Sequence, residues 1–126
     1  MKTQLEQVAE FHQAFGDENG IEAQLLEEKT FQLRHRLMRE ENNEYLDACW
    51  NGDMVEIADA LGDELYILLG TILKHGLQDK IEAVFTEIHK SNMSKLGEDG
   101  KPILREDGKF LKGPNYFKPN ILKALE

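Results

Sequence analysis

The sequence predicts an all-α fold, a bundle of four to five helices with a small β-hairpin near the C-terminus. Three observations carry that expectation. Apolar residues recur at helical spacing, as Leu5, Val8, Ala9, His12 and Phe15 do in one stripe and Ile81, Val84, Phe85 and Ile88 in another. Glycines break the periodic stretches at Gly16, Gly52, Gly76 and Gly97. Glu106-Asp107-Gly108 joins two short apolar runs, Pro102–Arg105 and Lys109–Leu111, which is a hairpin signal.

The elements follow in order. Residues 3–15 form the first expected helix, with Phe11 beside its apolar stripe. Asp17–Gly20 is turn-rich, and residues 21–29 fit a helical turn or a loop equally well. Thr30 is the expected cap of a long helix over about 31–50. Leu33, Leu37, Tyr45 and Ala48 mark its apolar side, and Glu41 and Glu44 share that side, whereas Asn43 and Asp47 point away. Asp53 is a natural N-cap for a third helix over about 54–75. Its second half, Leu65–Leu69, is apolar all round and calls for burial in a core or a subunit interface. The stripe Glu56, Asp59, Asp63 runs on into Ile67 and Gly70 and should face packed protein. Residues 78–95 read as a fourth helix, and Pro119 precedes a short last one at 120–125.

A chain of 126 residues suits one domain over 1–126, with a helical core at about 3–95 and a hairpin and tail at 96–126. The formal net charge of −9 argues against nucleic acid and anionic membranes as partners. A small anionic ligand stays compatible if cations bridge it. The lone Cys49 allows no disulfide within the chain and reads as a small buried residue. The first residues lack an apolar signal core, and Leu65–Leu73 is too short to span a bilayer, so the cytoplasm is the expected compartment.

The chemistry concentrates in two acidic segments, Glu40-Glu41-Asn42-Asn43-Glu44 and Glu56 to Asp63. Residues three or four apart share a helix face, so Glu41 and Glu44 converge, as do Glu56, Asp59 and Asp63. Antiparallel packing would gather four or five carboxylates, which repel one another unless they hold protons or a cation. With few histidines near (His35 is about two turns away), oxygen-loving Mg²⁺ or Mn²⁺ is favoured over zinc or iron. Mg²⁺ held this way suits a phosphate or pyrophosphate ester as substrate.

These residues also carry a resemblance. Glu40–Glu44 fits EExxE, a second acidic motif follows on the next helix, and Leu61-Gly62-Asp63-Glu64-Leu65-Tyr66 and Trp50 add to the match. Over roughly residues 5–95 the chain resembles the all-α nucleoside triphosphate pyrophosphohydrolases, which include MazG, dimeric dUTPases, dCTP pyrophosphatases and phosphoribosyl-ATP pyrophosphohydrolase. The tail, from Ser91-Asn92-Met93-Ser94-Lys95 to Gly113-Pro114-Asn115-Tyr116-Phe117, is similar to a MazG-like subgroup related to the phosphoribosyl-ATP enzymes. The resemblance implies a MazG-like bundle and Mg²⁺-dependent cleavage of a nucleoside triphosphate to monophosphate and pyrophosphate. It implies Glu41 and Glu44 as metal ligands, and Glu40 as a further ligand or the residue that positions or deprotonates water. Glu40 and Glu41 are thus the catalytic candidates. The family's ExxD matches Glu56 and Asp59 literally, yet the flanking sequence ends the motif at Asp63 and puts its glutamate at Ala60. The second half of the metal set is therefore Asp63 with Asp59, which can substitute from the adjacent rung, and Glu56 is an outer or second-metal ligand.

Asn92 and Lys95 are candidates for base or phosphate contact, where similar proteins place polar substrate contacts, and His12 and Trp50 for stacking on a base. Phe11 and Phe15 can also stack, although core packing suits Phe15 better. The apolar run at 65–69 and related proteins that share helices across a dimer suggest a homodimer or a homotetramer. Ala60 favours the contrasting reading, a non-catalytic helical module that oligomerises or binds a metal or nucleotide.

Overall fold

The computed structural model describes all 126 residues. Five helices form: α1 (Lys2–Ala14), α2 (Glu28–Asn51), α3 (Met54–Lys74), α4 (Ile81–Met93) and α5 (Ile121–Leu125). The all-α expectation holds, with helix ends within three residues of those read from the sequence. The chain divides into two compact units, Met1–Asp79 and Lys80–Glu126.

In the first unit, α2 packs chiefly on α3, and α1 packs on α3 as well. The α2–α3 link is Gly52-Asp53. Gly52 takes the left-handed conformation (φ 64°), and the Asp53 carboxylate accepts from the Val55 and Glu56 amides at 3.0 and 3.3 Å. A two-residue link suits an antiparallel helical hairpin. The contacts agree: Arg34, early in α2, reaches Ile67 and Thr71 late in α3, and Glu41 lies near Asp63. The buried apolar side chains are Leu5 and Val8 of α1, Ala48 of α2, and Ala60, Leu69 and Leu73 of α3.

The ambiguous stretch after α1 is a loop, and α2 begins at Glu28, two residues before the expected cap Thr30. Glu28 places a negative charge in the first turn, where the helix dipole favours it, and accepts from Gln32 one turn on at 2.9 Å. The loop is tied to the end of α3 through backbone bonds: Gly20 N–H to Leu73 O and Gln24 N–H to His75 O, both 2.9 Å. Gln78 also donates to Gly20 O at 2.9 Å. Gly76, at φ 69°, lies so close to the loop that a Cβ there would collide with the Glu22 carbonyl. Gly76→Ala is therefore expected to cost about 2–5 kcal/mol, combining left-handed strain with a backbone clash. Urea unfolding reads it; a loss below about 1 kcal/mol would mean that the loop gives way freely.

Several expectations about burial need correction. Phe15 is 73% exposed, because α1 stops at Ala14 and its buried stripe ends with His12. Cys49 is exposed, not buried, since one residue past the buried Ala48 is a 100° rotation off the packed face. The run at 65–69 is only partly covered: Leu69 is buried, while Leu61, Leu65 and Leu68, one stripe at i, i+4 and i+7, stay exposed. Two neighbouring helices cover only part of α3's surface. The stripe Glu56, Asp59, Asp63 is also open to solvent, and only where it continues to Ile67 and Gly70 does it enter packed protein.

The second unit holds α4, α5 and the segment between them. The buried Ser91 donates to Phe117 O at 2.8 Å, and the Ser94 hydroxyl accepts from the Phe117 amide at 3.1 Å. Asn120 caps α5 by accepting from the Lys123 amide at 3.1 Å. The expected β-hairpin does not form strands. Arg105 N–H reaches Lys109 O at 2.8 Å and Leu111 N–H reaches Ile103 O at 2.7 Å, leaving one isolated antiparallel bridge, Leu104–Phe110. The arms are too short: Pro102 lacks an amide proton at one end and Gly113-Pro114 turns the chain away at the other. The turn itself is as read, with the Asp107 carboxylate accepting from the Lys109 amide and from Arg105.

Candidate metal centre

The helical hairpin places Glu41 and Glu44 one turn apart on α2, facing Asp63 on α3. One carboxylate oxygen from each lies within 4.8 Å of the others. Two unit charges at that spacing repel by roughly 1 kcal/mol in water and about 3–4 kcal/mol at an effective dielectric of 20. Glu44 and Asp63 are exposed, so solvent relieves them. Glu41 is half-buried, and its Oε2 is shut away from solvent with no donor to meet it. Burial first, then Glu44, Asp63 and Glu40, push the Glu41 carboxyl up from 4.5 to about 7. A proton shared with Glu44, or a cation, is what this oxygen lacks.

The donor set fits a hard divalent ion. Three carboxylates converge with no nitrogen or sulfur among them, which suits Mg²⁺ or Mn²⁺ and not a thiolate or imidazole metal. Glu40 is exposed beside the cluster and feeds its charge into Glu41 without joining the three. Glu56 and Asp59 line an adjoining cavity of about 280 Å³ together with Glu44, Asp47, Ala48 and Ala60. Glu44 thus borders both the cluster and the cavity. Ala60 is buried there, and its small side chain leaves the space in which a longer residue would stand.

Of the remaining candidates in the first unit, neither His12 nor Trp50 joins the three carboxylates or lines the adjoining cavity. His12 is buried on the α1–α3 contact, its Nδ1 bonded to Asn19 Oδ1 at 2.6 Å and its Nε2 3.9 Å from Asp17. Both ring nitrogens have partners within the fold, so the ring braces the loop after α1. Phe11 stacks on Phe15 at 4.4 Å and meets the edge of Tyr66 at 5.7 Å. Trp50 is 82% exposed at the end of α2. In the second unit Asn92 and Lys95 line a cavity of about 340 Å³ with Leu96, Pro102, Ile103, Phe110 and Leu111.

The sequence reading missed Arg34 and Asp47. Arg34 is buried, and its guanidinium donates to Thr71 Oγ1 at 3.0 Å and to Ile67 O at 2.8 Å, fixing the helix pair two turns from Glu41. Its signal was spacing: seven residues before Glu41 is two turns along the same face. Asp47, which helical spacing turns away from the cluster, lines the adjoining cavity.

Residues 8–92, about two thirds of the chain, match the family described as phosphoribosyl-ATP pyrophosphohydrolase. No curated protein matches the chain. The matched span contains all of α2 and α3, and so the three clustered carboxylates and their cavity; residues 93–126 lie outside it. Members of this family are hydrolases that cleave phosphoric anhydride bonds of nucleotides, generally with a divalent metal, and a carboxylate cluster on a helical hairpin is suited to that chemistry. The chain belongs to the phosphoribosyl-ATP pyrophosphohydrolase family, within the MazG-like all-α pyrophosphohydrolases.

Proposed function

We propose that the chain is a Mg²⁺-dependent nucleoside triphosphate pyrophosphohydrolase, with Mn²⁺ an acceptable substitute. Water adds to the α-phosphorus, the bond to the bridging oxygen breaks, and nucleoside monophosphate and pyrophosphate leave. The observation that carries the reading is the carboxylate trio with the buried, donorless Oε2 of Glu41. Glu41, Glu44 and Asp63 hold the cation, and Asp59 and Glu56 extend the set from the cavity that Glu44 borders. The bound ion would neutralise phosphate charge and make a water more acidic. Glu40, next to the trio and free of other bonds, orients that water or takes its proton. Within the second unit, Asn92 and Lys95, which line one cavity, are the groups we propose for nucleotide contact.

Pyrophosphate release from a panel of nucleoside triphosphates, extended to phosphoribosyl-ATP and run with and without Mg²⁺, tests this. Release from at least one, abolished by chelator, is expected. Folded protein that releases none from any would overturn it.

The exposed stripe of Leu61, Leu65 and Leu68, with Trp50, Met54 and Val55 at 73–82% exposure, supports a homodimer or homotetramer. Light scattering at micromolar concentration should find no monomer. No helix is long and apolar enough to cross a membrane. A nucleotide substrate supports a cytoplasmic site of action, which recovery of the protein in a membrane fraction would contradict.

A further inference from the structure

The first unit buries one guanidinium, that of Arg34, which is 7% exposed and has no carboxylate within 4.0 Å. Taking a charge out of water without an ion pair is costly, so the placement calls for a reason. What holds Arg34 is neutral. Its Nε donates to Thr71 Oγ1 at 3.0 Å and its Nη2 to Ile67 O at 2.8 Å, and the Thr71 hydroxyl in turn donates to Ile67 O at 2.9 Å. The planar fork thus grips one turn of α3 at two points, which a flexible ammonium does not reproduce. Gly70 makes room for it: a Cβ there would stand 2.6 Å from Nη2 and 3.1 Å from His12 Nε2.

No other side-chain hydrogen bond or ion pair joins α2 to α3. Besides Arg34, the one residue that α2 buries is Ala48. A methyl group fills little of a groove between helices and resists sliding weakly. The helical hairpin is therefore pinned at its two ends, by the Gly52-Asp53 link after Ala48 and by Arg34 at the open end. Glu41 and Glu44 stand between these pins.

One antiparallel register sets both contacts. Glu41 is seven residues past Arg34, about 10 Å along α2. Asp63 is four residues before Ile67 and eight before Thr71 on α3. A slide of α2 along α3 would carry the oxygens of Glu41 and Glu44 past Asp63 by the same amount. Mg²⁺ takes near-octahedral oxygens at about 2.0–2.1 Å, so a slide of about 1 Å is felt.

We propose that Arg34 is a positioning residue for the metal centre, whose fork on Ile67 O and Thr71 Oγ1 sets the axial register that brings Glu41 and Glu44 opposite Asp63. The inference rests on the metal reading above and adds to it a side chain that touches neither ion nor substrate. Charge and position predict opposite signs. Arg34 is a cation about 10 Å from an anionic site, so by charge alone its removal would tighten Mg²⁺ binding slightly. As a clamp, its loss weakens that binding.

Calorimetric titration of the metal-free protein with Mg²⁺, above pH 7 and well below the melting temperature, tests the clamp. Arg34→Met removes the charge, and Arg34→Lys keeps it but cannot span both acceptors. Each should weaken Mg²⁺ binding about 10-fold, the lower end of what lost support around a metal ligand costs. Gly70→Ala leaves Arg34 in the chain and raises helix propensity, yet should weaken binding as much by displacing Nη2. Arg34→Met and Gly70→Ala together should weaken it no more than either alone, because methionine ends short of the Nη2 position. Circular dichroism checks that each variant is folded; where Arg34→Met is not, Arg34→Lys and Gly70→Ala carry the comparison. A residue of merely structural worth would lower the melting temperature and leave the Mg²⁺ affinity of the folded protein unchanged. That result in folded Arg34→Lys and Gly70→Ala, or tighter binding in Arg34→Met, would overturn the clamp while Mg²⁺ binding by the parent protein kept the metal reading intact. A parent protein that binds no Mg²⁺ would overturn the metal reading and the clamp with it.

Discussion

Glu44→Gln should lower pyrophosphate release by at least about 10²-fold, the scale on which loss of one electrostatic stabiliser of a transition state is felt. In the metal-free protein the same change should raise the melting temperature. The two effects have one cause. Glu44 stands within 4.8 Å of Glu41 and Asp63 and also borders the cavity that Glu56 and Asp59 line, so it serves the whole acidic surface. Without a cation its charge only adds repulsion, and an amide of the same shape removes it. With a cation the charge holds the ion, and the amide does so poorly. A residue kept for packing would show the opposite pattern, losing stability along with activity. Melting and turnover measured on one preparation decide the matter: a lower melting temperature, or activity within a few-fold of the parent, would remove Glu44 from the metal set.

Metal affinity should depend steeply on pH because of Glu41. Its carboxyl is pushed up to about 7, so below that pH an incoming cation must displace a proton. Apparent Mg²⁺ affinity is expected to fall about tenfold for each pH unit below 7 and to level off above it. Calorimetry at pH 6 in two buffers of different ionisation enthalpy should register proton release, and none at pH 8.5. Stability of the metal-free protein follows with a definite sign. The folded state keeps a proton that the unfolded chain gives up above its ordinary 4.5, so the contribution is fully present below about 4.5. It is lost as pH rises from 4.5 to 7 and is flat beyond. Added Mg²⁺ should recover stability most above pH 7, where the carboxylates are ionised. Glu41→Gln should abolish the slope. A metal-free urea midpoint that does not change between pH 4.5 and 7 would show that Glu41 ionises normally, and the buried oxygen would need another partner.

Local sequence was enough to place the helices and the acidic motif. Periodicity placed α1, α2 and α3, and Asp53 and the glycines after α2 and α3 marked their ends, because caps and breakers act over a few residues of local chain. Spacing put Glu41 and Glu44 on one face and Asp63 on the next helix, where antiparallel packing would bring them together. Membership of the pyrophosphohydrolase family was legible in the same residues.

What burial did to them depended on packing between helices. Which side of α3 is covered depends on where α1 and α2 lie, so Leu65 and Leu68 are exposed although their sequence is as apolar as that of Leu69. His12 read as a stacking candidate because a ring looks the same in sequence whether bonded to Asn19 or free. The hairpin signal was right about the turn and wrong about the strands, since strand pairing needs partners and length that the tail does not have. The apolar wall around Phe110 was invisible for the same reason: its residues lie on both arms of that turn and meet only through the folded segment. For the carboxylates, spacing gives proximity, but whether an oxygen is solvated depends on atoms from other helices. The fold alone turned Glu41 from one acid of five into the one whose Oε2 is buried and donorless, which calls for a proton or a cation.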